Sequence, residues 1–338
     1  MHKSTRRRLV IPIFVPHVGC PRLCVFCNQR SISGNINIPS RQETTDTIEQ
    51  YLEVANRYDV VEVAFFGGSF TAIHPALQED FLSCVYPYIG KGVDYVRIST
   101  RPDCINDEIL MRLKKYRVHV IELGAQSMDD KVLEASLRGH TSRHTIEASE
   151  LIKREGFVLG LQTMPGLPMS DRNSDIETAK KIAALGPDLV RIYPTIIIKK
   201  THLETMYRQG KYEPQTLEYM IDLCAELVEI YEKEGIDIAR IGLQSSENMT
   251  EEKEIVAGPY HPAFGQLVHS RRALQGIVDR VREMRIGGGK VLIRVPEKEL
   301  STYIGQRRSN VLKLKEMFNF EDVRFIPDPL MDNGFVLE

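Results

Sequence analysis

Apolar positions along the chain follow two alternating rhythms. Short runs rich in β-branched and aromatic residues fall at Leu9–Val15, Val60–Phe66, Tyr95–Ser99, His119–Leu123, Val158–Thr163 and Leu189–Pro194. Between them, apolar residues recur at helical spacing over about Thr44–Asn56, Pro75–Tyr88, Asn106–Lys115, Thr141–Glu155 and Asp171–Leu185. Asn106 and Ser142 stand where N-caps belong, and Gly156 and Gly186 stand where helices should stop. A longer helix, about Pro214–Glu234, closes the series before Gly235. Its stripe Leu217, Ile221, Cys224, Leu227, Val228 and Tyr231 predicts a face buried in the core. Strands that alternate with helices run parallel and are joined by crossovers. Six such units are too few for a closed eightfold barrel. The expected fold is therefore α/β, a partial (β/α)6 TIM-like barrel, with its chemistry at the strand C-terminal ends.

After residue 245 the pattern changes. The stretch 246–262 is polar, acidic at first, and reads as a linker. A basic helix follows over about Ala263–Met284, then Gly287–Gly289. Next comes a compact order: strand Lys290–Val295, helix Glu297–Tyr303, loop IGQRR, helix Ser309–Phe318 and strand Asp322–Ile326. The expected domains are thus a barrel over 1–245, a linker and basic helix over 246–289, and a small α+β module over 290–338.

Composition narrows the class. In 338 residues, 42% hydrophobic and 27% charged describe an ordinary globular protein. Six cysteines without an even framework of spacings argue for a reducing compartment over a disulfide scaffold. Arg6, Arg7 and Arg8 before LVIPIFV mimic a signal peptide, but the apolar run is broken by Pro12 and ends at Pro16. It reads as the first core strand. No later run reaches the ~18 apolar residues of a membrane helix, so the expectation is a cytoplasmic protein with no membrane partner. Charge is uneven: between Ala263 and Lys315 there are twelve Lys or Arg against four Asp or Glu, in a chain of net charge −2. Such a surplus suggests a footprint for a polyanion, the bland alternative being a solvated helical face.

The candidate chemistry starts in GCPRLCVFCNQRSISG, Gly19–Gly34, where Cys20, Cys24 and Cys27 fall within eight residues. Three thiolates on one loop can hold three irons of a cubane cluster and leave the fourth open to a small molecule. A structural zinc site with His17 as fourth ligand, or a redox dithiol, are the alternatives. Other uncommon residues gather at the predicted strand ends. FFGGSF (65–70) offers Gly67, Gly68 and Ser69, a turn through which backbone can approach a ligand. ISTRPD and IELGAQS place Ser99, Arg101, Asp103, Glu122 and Gln126 near the rim, as cofactor contacts or as an Arg–Glu ion pair. SLRGHT adds Arg138 and His140, TMPGLP a rigid turn, and Tyr193, Lys199 and Cys104 are candidates for substrate contact.

The cysteine spacing, with Phe26 before the third cysteine, resembles the radical S-adenosylmethionine superfamily. The resemblance implies a [4Fe–4S] cluster on Cys20, Cys24 and Cys27 whose open iron is chelated by S-adenosylmethionine. One electron, from a donor such as flavodoxin or ferredoxin, then gives methionine and a 5′-deoxyadenosyl radical. It also implies cofactor contacts from Phe26, Gly67, Gly68 and Ser69, with Ser99, Arg101, Glu122 and Gln126 toward the ribose or carboxylate. Ser69 stands where that family often has Glu. GGSF, TRPD, ELGAQS, RGHT, MPGLP, RIYPT and YHPAFG together look like the radical domain of the Elongator catalytic subunit, over roughly residues 8–270. That family modifies the wobble uridine of transfer RNA. The length after residue 245 does not accommodate its acetyltransferase domain, so acetyl-coenzyme A chemistry is not implied. The cluster loop and TRPD also resemble oxygen-independent coproporphyrinogen oxidase, which keeps a porphyrin-like small molecule open as substrate. A nonenzymatic iron–sulfur RNA-binding protein is a further alternative. The order after Lys290 resembles a KH-like RNA-binding module, whose glycine loop clamps the backbone of about four nucleotides. Gly305, Gln306, Arg307 and Arg308 would form that loop, with Arg271 and Arg272 as further RNA contacts.

Overall fold

The computed structural model describes residues 7–15, 20, 23–28, 38–243 and 254–338. His17, Gly19, Gly34, residues 244–245 and residues 246–253 of the expected linker lie outside them. In chain order the elements are β1 (Arg8–Val15), α1 (Arg41–Leu52), β2 (Val60–Gly67), α2 (Pro75–Val85), β3 (Tyr95–Thr100), α3 (Asp107–Lys115), β4 (Val118–Gln126), α4 (Asp130–Ala135), α5 (Ser142–Arg154), β5 (Val158–Thr163), α6 (Arg172–Ala184), β6 (Leu189–Ile192), β7 (Ile197–Ile198), α7 (His202–Arg208), α8 (Leu217–Lys233) and β8 (Asp237–Ile241). Then follow β9 (Ile255–Ala257), α9 (Phe264–Met284), β10 (Lys290–Pro296), α10 (Leu300–Ile304), α11 (Ser309–Phe318), β11 (Asp322–Asp328) and β12 (Val336–Leu337).

The main sheet has seven parallel strands in the order β1-β2-β3-β4-β5-β6-β8. The architecture is the expected partial α/β barrel, but with one strand more. Strand β8 escapes periodicity because DIARI is a short edge strand whose charges interrupt the apolar run, Asp237 exposed and Arg240 half-buried. The six expected strands all form, and β4 runs three residues further, to Gln126. Asn106 caps α3 as expected, whereas α5 is capped by Thr141, one residue before the expected Ser142.

One face of the sheet is apolar and meets the helices: Ile11, Val63, Val96, Ile121, Leu159 and Val190 share a core with Ile48, Leu82, Ile152 and Leu227. The alternate positions on the other face carry charge. Arg97, 1% exposed, donates to Glu62 at 2.7 Å and Glu122 at 2.5 Å, and Arg191 donates to Glu122 at 2.8 Å. Gly160 makes room for this, since a Cβ there would stand 2.7 Å from Glu122 Cγ. Buried charges survive only when paired and hydrogen-bonded, so this network is one unit.

Residues 254–262 are not a free linker: β9 pairs antiparallel with β7. Helix α9 joins two cores, with Phe264 and Val268 in the barrel core and Leu274, Ile277, Val278 and Val281 in the second. That second core also holds Val291, Ile293, Leu314 and Val323 beneath the sheet β11-β10-β12. The basic helix therefore belongs to both folded units rather than to a connector.

Candidate active site

The loops after β1, β2, β3 and β4 converge at the C-terminal ends of the strands. Cys24 is buried, and its Sγ accepts a hydrogen bond from Arg138 Nη1 at 3.1 Å. The other arm of Arg138 donates to Gly124 O at 2.6 Å, and the guanidinium lies 6.0 Å from the centre of the Phe26 ring. Cys27 N donates to Cys24 O at 3.1 Å, closing a turn between the two cysteines. Arg101, 4% exposed, donates to both oxygens of Asp103, at 2.9 and 2.8 Å, and to Arg138 O at 2.6 Å. Its backbone N–H donates to Ser69 Oγ at 3.1 Å, and Ser69 Oγ also meets Thr100 Oγ1 at 2.8 Å. Gly68 N donates to Val15 O at 2.8 Å, which ties the glycine turn to the strand that feeds the cysteine loop.

Charge at this mouth is arranged around sulfur. Burial, helped by the neighbouring Cys24, holds the Cys20 thiol above its ordinary value, although the Ser69 backbone N–H and the Arg101 and Arg138 guanidiniums oppose the rise. Burial also raises the Asp103 carboxyl, yet Arg101 outweighs it and holds the group below the usual carboxylate range. Burial, followed by the repulsion of Arg138, drives His140 down to about 3, so its ring is neutral, with Nε2 beside Ala125 O at 3.2 Å. Its Nδ1 is buried with no hydrogen-bond partner among the described residues. Cys104 adds a fourth sulfur in contact with Ser69 and Arg101, its thiol pushed up by burial.

The donor set can be tested against an iron–sulfur cluster. Among the described residues, no three His, Cys, Asp or Glu side chains are gathered closely enough to hold a metal ion. The chemistry of the set nevertheless suits a cluster: three thiols lie on one loop, and the Arg138 guanidinium at Cys24 Sγ would offset the negative charge of a thiolate-bound cluster.

The sequence-predicted residues divide into groups. Cys20, Cys24, Phe26, Ser69 and Arg101 share this mouth with Gly67 and Gly68. Gln126 ends β4 with a positive φ of 68° and accepts from Gln162 Nε2 at 3.2 Å. Glu122 and Ser99 lie deeper: Ser99 Oγ donates to Glu122 Oε2 at 3.3 Å, and Glu122 is occupied by Arg97 and Arg191. The ion-pair alternative for Glu122 is thus met within the sheet, by two guanidiniums on neighbouring strands. The ion pairs also differ in partner from any between Arg101 and Glu122. Tyr193 accepts from Arg191 Nη1 at 3.0 Å, and the Lys199 backbone carbonyl accepts from Asn28. Glu62, Arg97 and Arg191 were not singled out in the sequence, although each is a lone charge inside an apolar run.

The expected RNA contacts also divide. Arg271 pairs with Asp222 and Glu218, and Arg272 with Glu232, so both tie α9 to α8. Gly305, Gln306, Arg307 and Arg308 form the loop between α10 and α11. Arg307 and Arg308 hold positive φ angles of 51° and 61°, and neither makes an ion pair among the described residues. Gly305 has φ 76° and no space for a Cβ against Ser309. Arg282, Arg285, Lys290 and Lys298 are likewise without ion pairs among the described residues.

A parallel half-barrel with a three-cysteine loop at its mouth defines a class, and comparison agrees: the chain belongs to the radical S-adenosylmethionine superfamily, whose members are enzymes. Residues 14–182 match that superfamily, and residues 187–273 match the radical SAM C-terminal domain. Within the class, the chain is homologous to Elongator and archaeal Elongator-like proteins over its radical portion. It is 27% identical over 257 residues to a tRNA uridine(34) acetyltransferase of Methanocaldococcus jannaschii, covering 64% of this chain and 48% of that protein. It is 27% identical over 209 residues to Elongator complex protein 3 of Saccharomyces cerevisiae, covering 55% of this chain and 37% of that protein. The chain thus matches half or less of the length of these relatives. The structure of the archaeal Methanocaldococcus infernus Elp3 with an N-terminal deletion (1–46) superposes with a TM-score of 0.65 at 24% identity, over 81% of this chain and 64% of that one. This last likeness is one of fold. Among the described residues, no helix is long and apolar enough to cross a membrane.

Proposed function

We propose that this chain is a radical S-adenosylmethionine enzyme that modifies a nucleotide in RNA, with transfer RNA as the first substrate to test. The observation that carries the reading is the cysteine loop at the barrel mouth, with Arg101 and Arg138 linking it to Ser69. Cys20, Cys24 and Cys27 would hold a [4Fe–4S] cluster, which supplies one-electron cleavage of S-adenosylmethionine when bound. Gly67, Gly68 and Ser69 offer backbone and a hydroxyl to the cofactor's methionine end. Arg138 holds Cys24 and braces Phe26, and Gln126 lies at the end of β4. Arg101 is fixed by Asp103, which keeps its charge in place beside the sulfurs. The surrounding barrel excludes water from a reactive intermediate. A donor such as flavodoxin or ferredoxin would deliver the electron, in a reducing, cytoplasmic setting that suits six free cysteines.

The RNA half rests on the relatives that act on tRNA and on the cations of the C-terminal module, whose glycine loop between α10 and α11 follows a KH-like order. Acetyl transfer is not carried over, because the matched lengths cover only the radical portion. The test is anaerobic: reconstitute the cluster, add reductant and S-adenosylmethionine, and quantify 5′-deoxyadenosine with and without bulk tRNA. Formation stimulated by tRNA is expected. Formation indifferent to RNA would overturn the RNA half, and no formation with cluster and reductant verified would overturn the enzyme. Cys24→Ala is expected to remove the brown cluster and S-adenosylmethionine cleavage together; cleavage at an unchanged rate sinks the ligand assignment.

A further inference from the structure

The cysteine loop follows β1, an edge strand of the seven-stranded sheet. Its backbone and the Asn28 side chain nevertheless reach elements that follow β4 and β6. Val25 N donates to Ser136 O at 3.2 Å, Leu203 N donates to Val25 O at 2.7 Å, and Asn28 Nδ2 donates to Lys199 O at 2.8 Å. Two of these three partners lie on the excursion between β6 and α8. Side chains repeat the pattern. Val25, Ile197 and Leu203 are 1%, 0% and 0% exposed and form one apolar cluster, against which Phe26 and Tyr212 pack. The loop therefore sits on a small separate core, distinct from the barrel core.

That core has its own supports. Strand β7 pairs with β9, and Lys199 N donates to Glu254 O at 2.9 Å. Thr201 caps α7: its Oγ1 accepts from Glu204 N at 3.1 Å and donates to Ile198 O at 2.7 Å. First-turn amides of a helix have no partner within the helix. The Leu203 amide, in the first turn of α7, is satisfied by the cysteine loop itself. The same excursion also grips the turn after β5, through Tyr212 Oη to Gly166 O at 2.7 Å and Thr195 N to Pro165 O at 2.9 Å.

We infer that the excursion between β6 and α8, together with β9, is the seat of the cysteine loop, and that Leu203 is its central positioning residue. Leu203 offers no donor to a metal. It fixes Val25, which lies between the second and third cysteines, and so restricts where Cys24 and Cys27 place their sulfurs. This inference rests on the cluster reading for its purpose, but not for its test.

The experiment uses the full chain as wild type, Leu203→Ala, Leu203→Met and Thr201→Val. Alanine empties the space under Val25 while keeping the backbone bond, methionine nearly restores the volume, and valine removes the cap while keeping Leu203. Amide exchange over residues 23–28 is followed in the metal-free protein, and iron loss to a chelator is followed after anaerobic reconstitution. Leu203→Ala is expected to speed both by about tenfold or more, with the barrel amides of β2–β5 unchanged, because a local seat opens without global unfolding. Leu203→Met should return both toward wild type, and Thr201→Val should shift both in the same direction as alanine.

Exchange over 23–28 within about twofold of wild type in a folded Leu203→Ala protein would overturn the inference. So would acceleration only in step with the barrel amides, which is the mark of a general loss of stability. If the alanine protein does not fold, Thr201→Val decides by the same readouts. A wild type that binds no iron would defeat the cluster reading alone, since the exchange arm still judges the seat.

Discussion

Asp175 shows how a single buried group can set a pH dependence. It is 6% exposed on α6 and accepts from Gly166 N at 3.0 Å, which holds the turn after β5. Burial pushes its carboxyl up to about 7, with Asp171 adding to the rise and the Gly166 amide and Ser170 opposing it. In the unfolded chain an Asp titrates near ~3.9. Between these values the folded state keeps a proton that the unfolded state has released. Its contribution is therefore fully present below the unfolded value and is lost as pH rises through about 7. Asp175→Asn keeps an acceptor for Gly166 and removes the titration. The melting temperature of the variant should fall less than that of wild type between pH ~5 and ~8; parallel curves would contradict the assignment. Single residues were unevenly legible in the sequence. The cysteines announced themselves by density within one loop, whereas Asp175 is one acidic residue among several in a helical stretch.

Among the elements, the strands were the most legible and the short pieces between them the least. Parallel strands buried on both faces read as apolar runs, so β1 to β6 were visible. The lone charges within those runs, Glu62, Arg97, Glu122 and Arg191, become a network only because neighbouring strands hold them in register on one face. Arg97→Met should expose this coupling. Glu62 would lose its buried partner, and breaking one side of a buried ion network costs about 3–5 kcal/mol. Denaturant unfolding measures it, and Arg97→Met combined with Glu62→Gln should recover part of the loss. A cost below about 1 kcal/mol would mean that the charges are not a unit. Elements β7, α7 and β9 were missed for a physical reason. Each is too short for a period to show, and β7 and β9 are stabilised by each other across more than fifty residues of sequence.

For the molecule as a whole, the proposed RNA reading turns on whether the C-terminal module contacts a polyanion. Arg307 and Arg308 carry the test, because their charges have no ion pair among the described residues, unlike Arg271 and Arg272. Replacing both with Glu should weaken tRNA binding and reduce the slope of log affinity against log salt by roughly 1.5, the loss of two phosphate contacts. An unchanged slope would overturn the proposed contact of this loop with RNA. The sequence by itself determined the alternation of strand and helix, the cysteine loop and its cluster-like spacing, and the compact order after Lys290. These are local: they depend on period, spacing and residue type within a few turns of chain. Only the tertiary structure decided that α9 serves two cores, that Arg271 and Arg272 face α8, that Glu122 is occupied within the sheet, and that the cysteine loop rests on Leu203. Each of those outcomes is a contact between residues far apart in sequence, and no local pattern encodes which distant partner a side chain will meet.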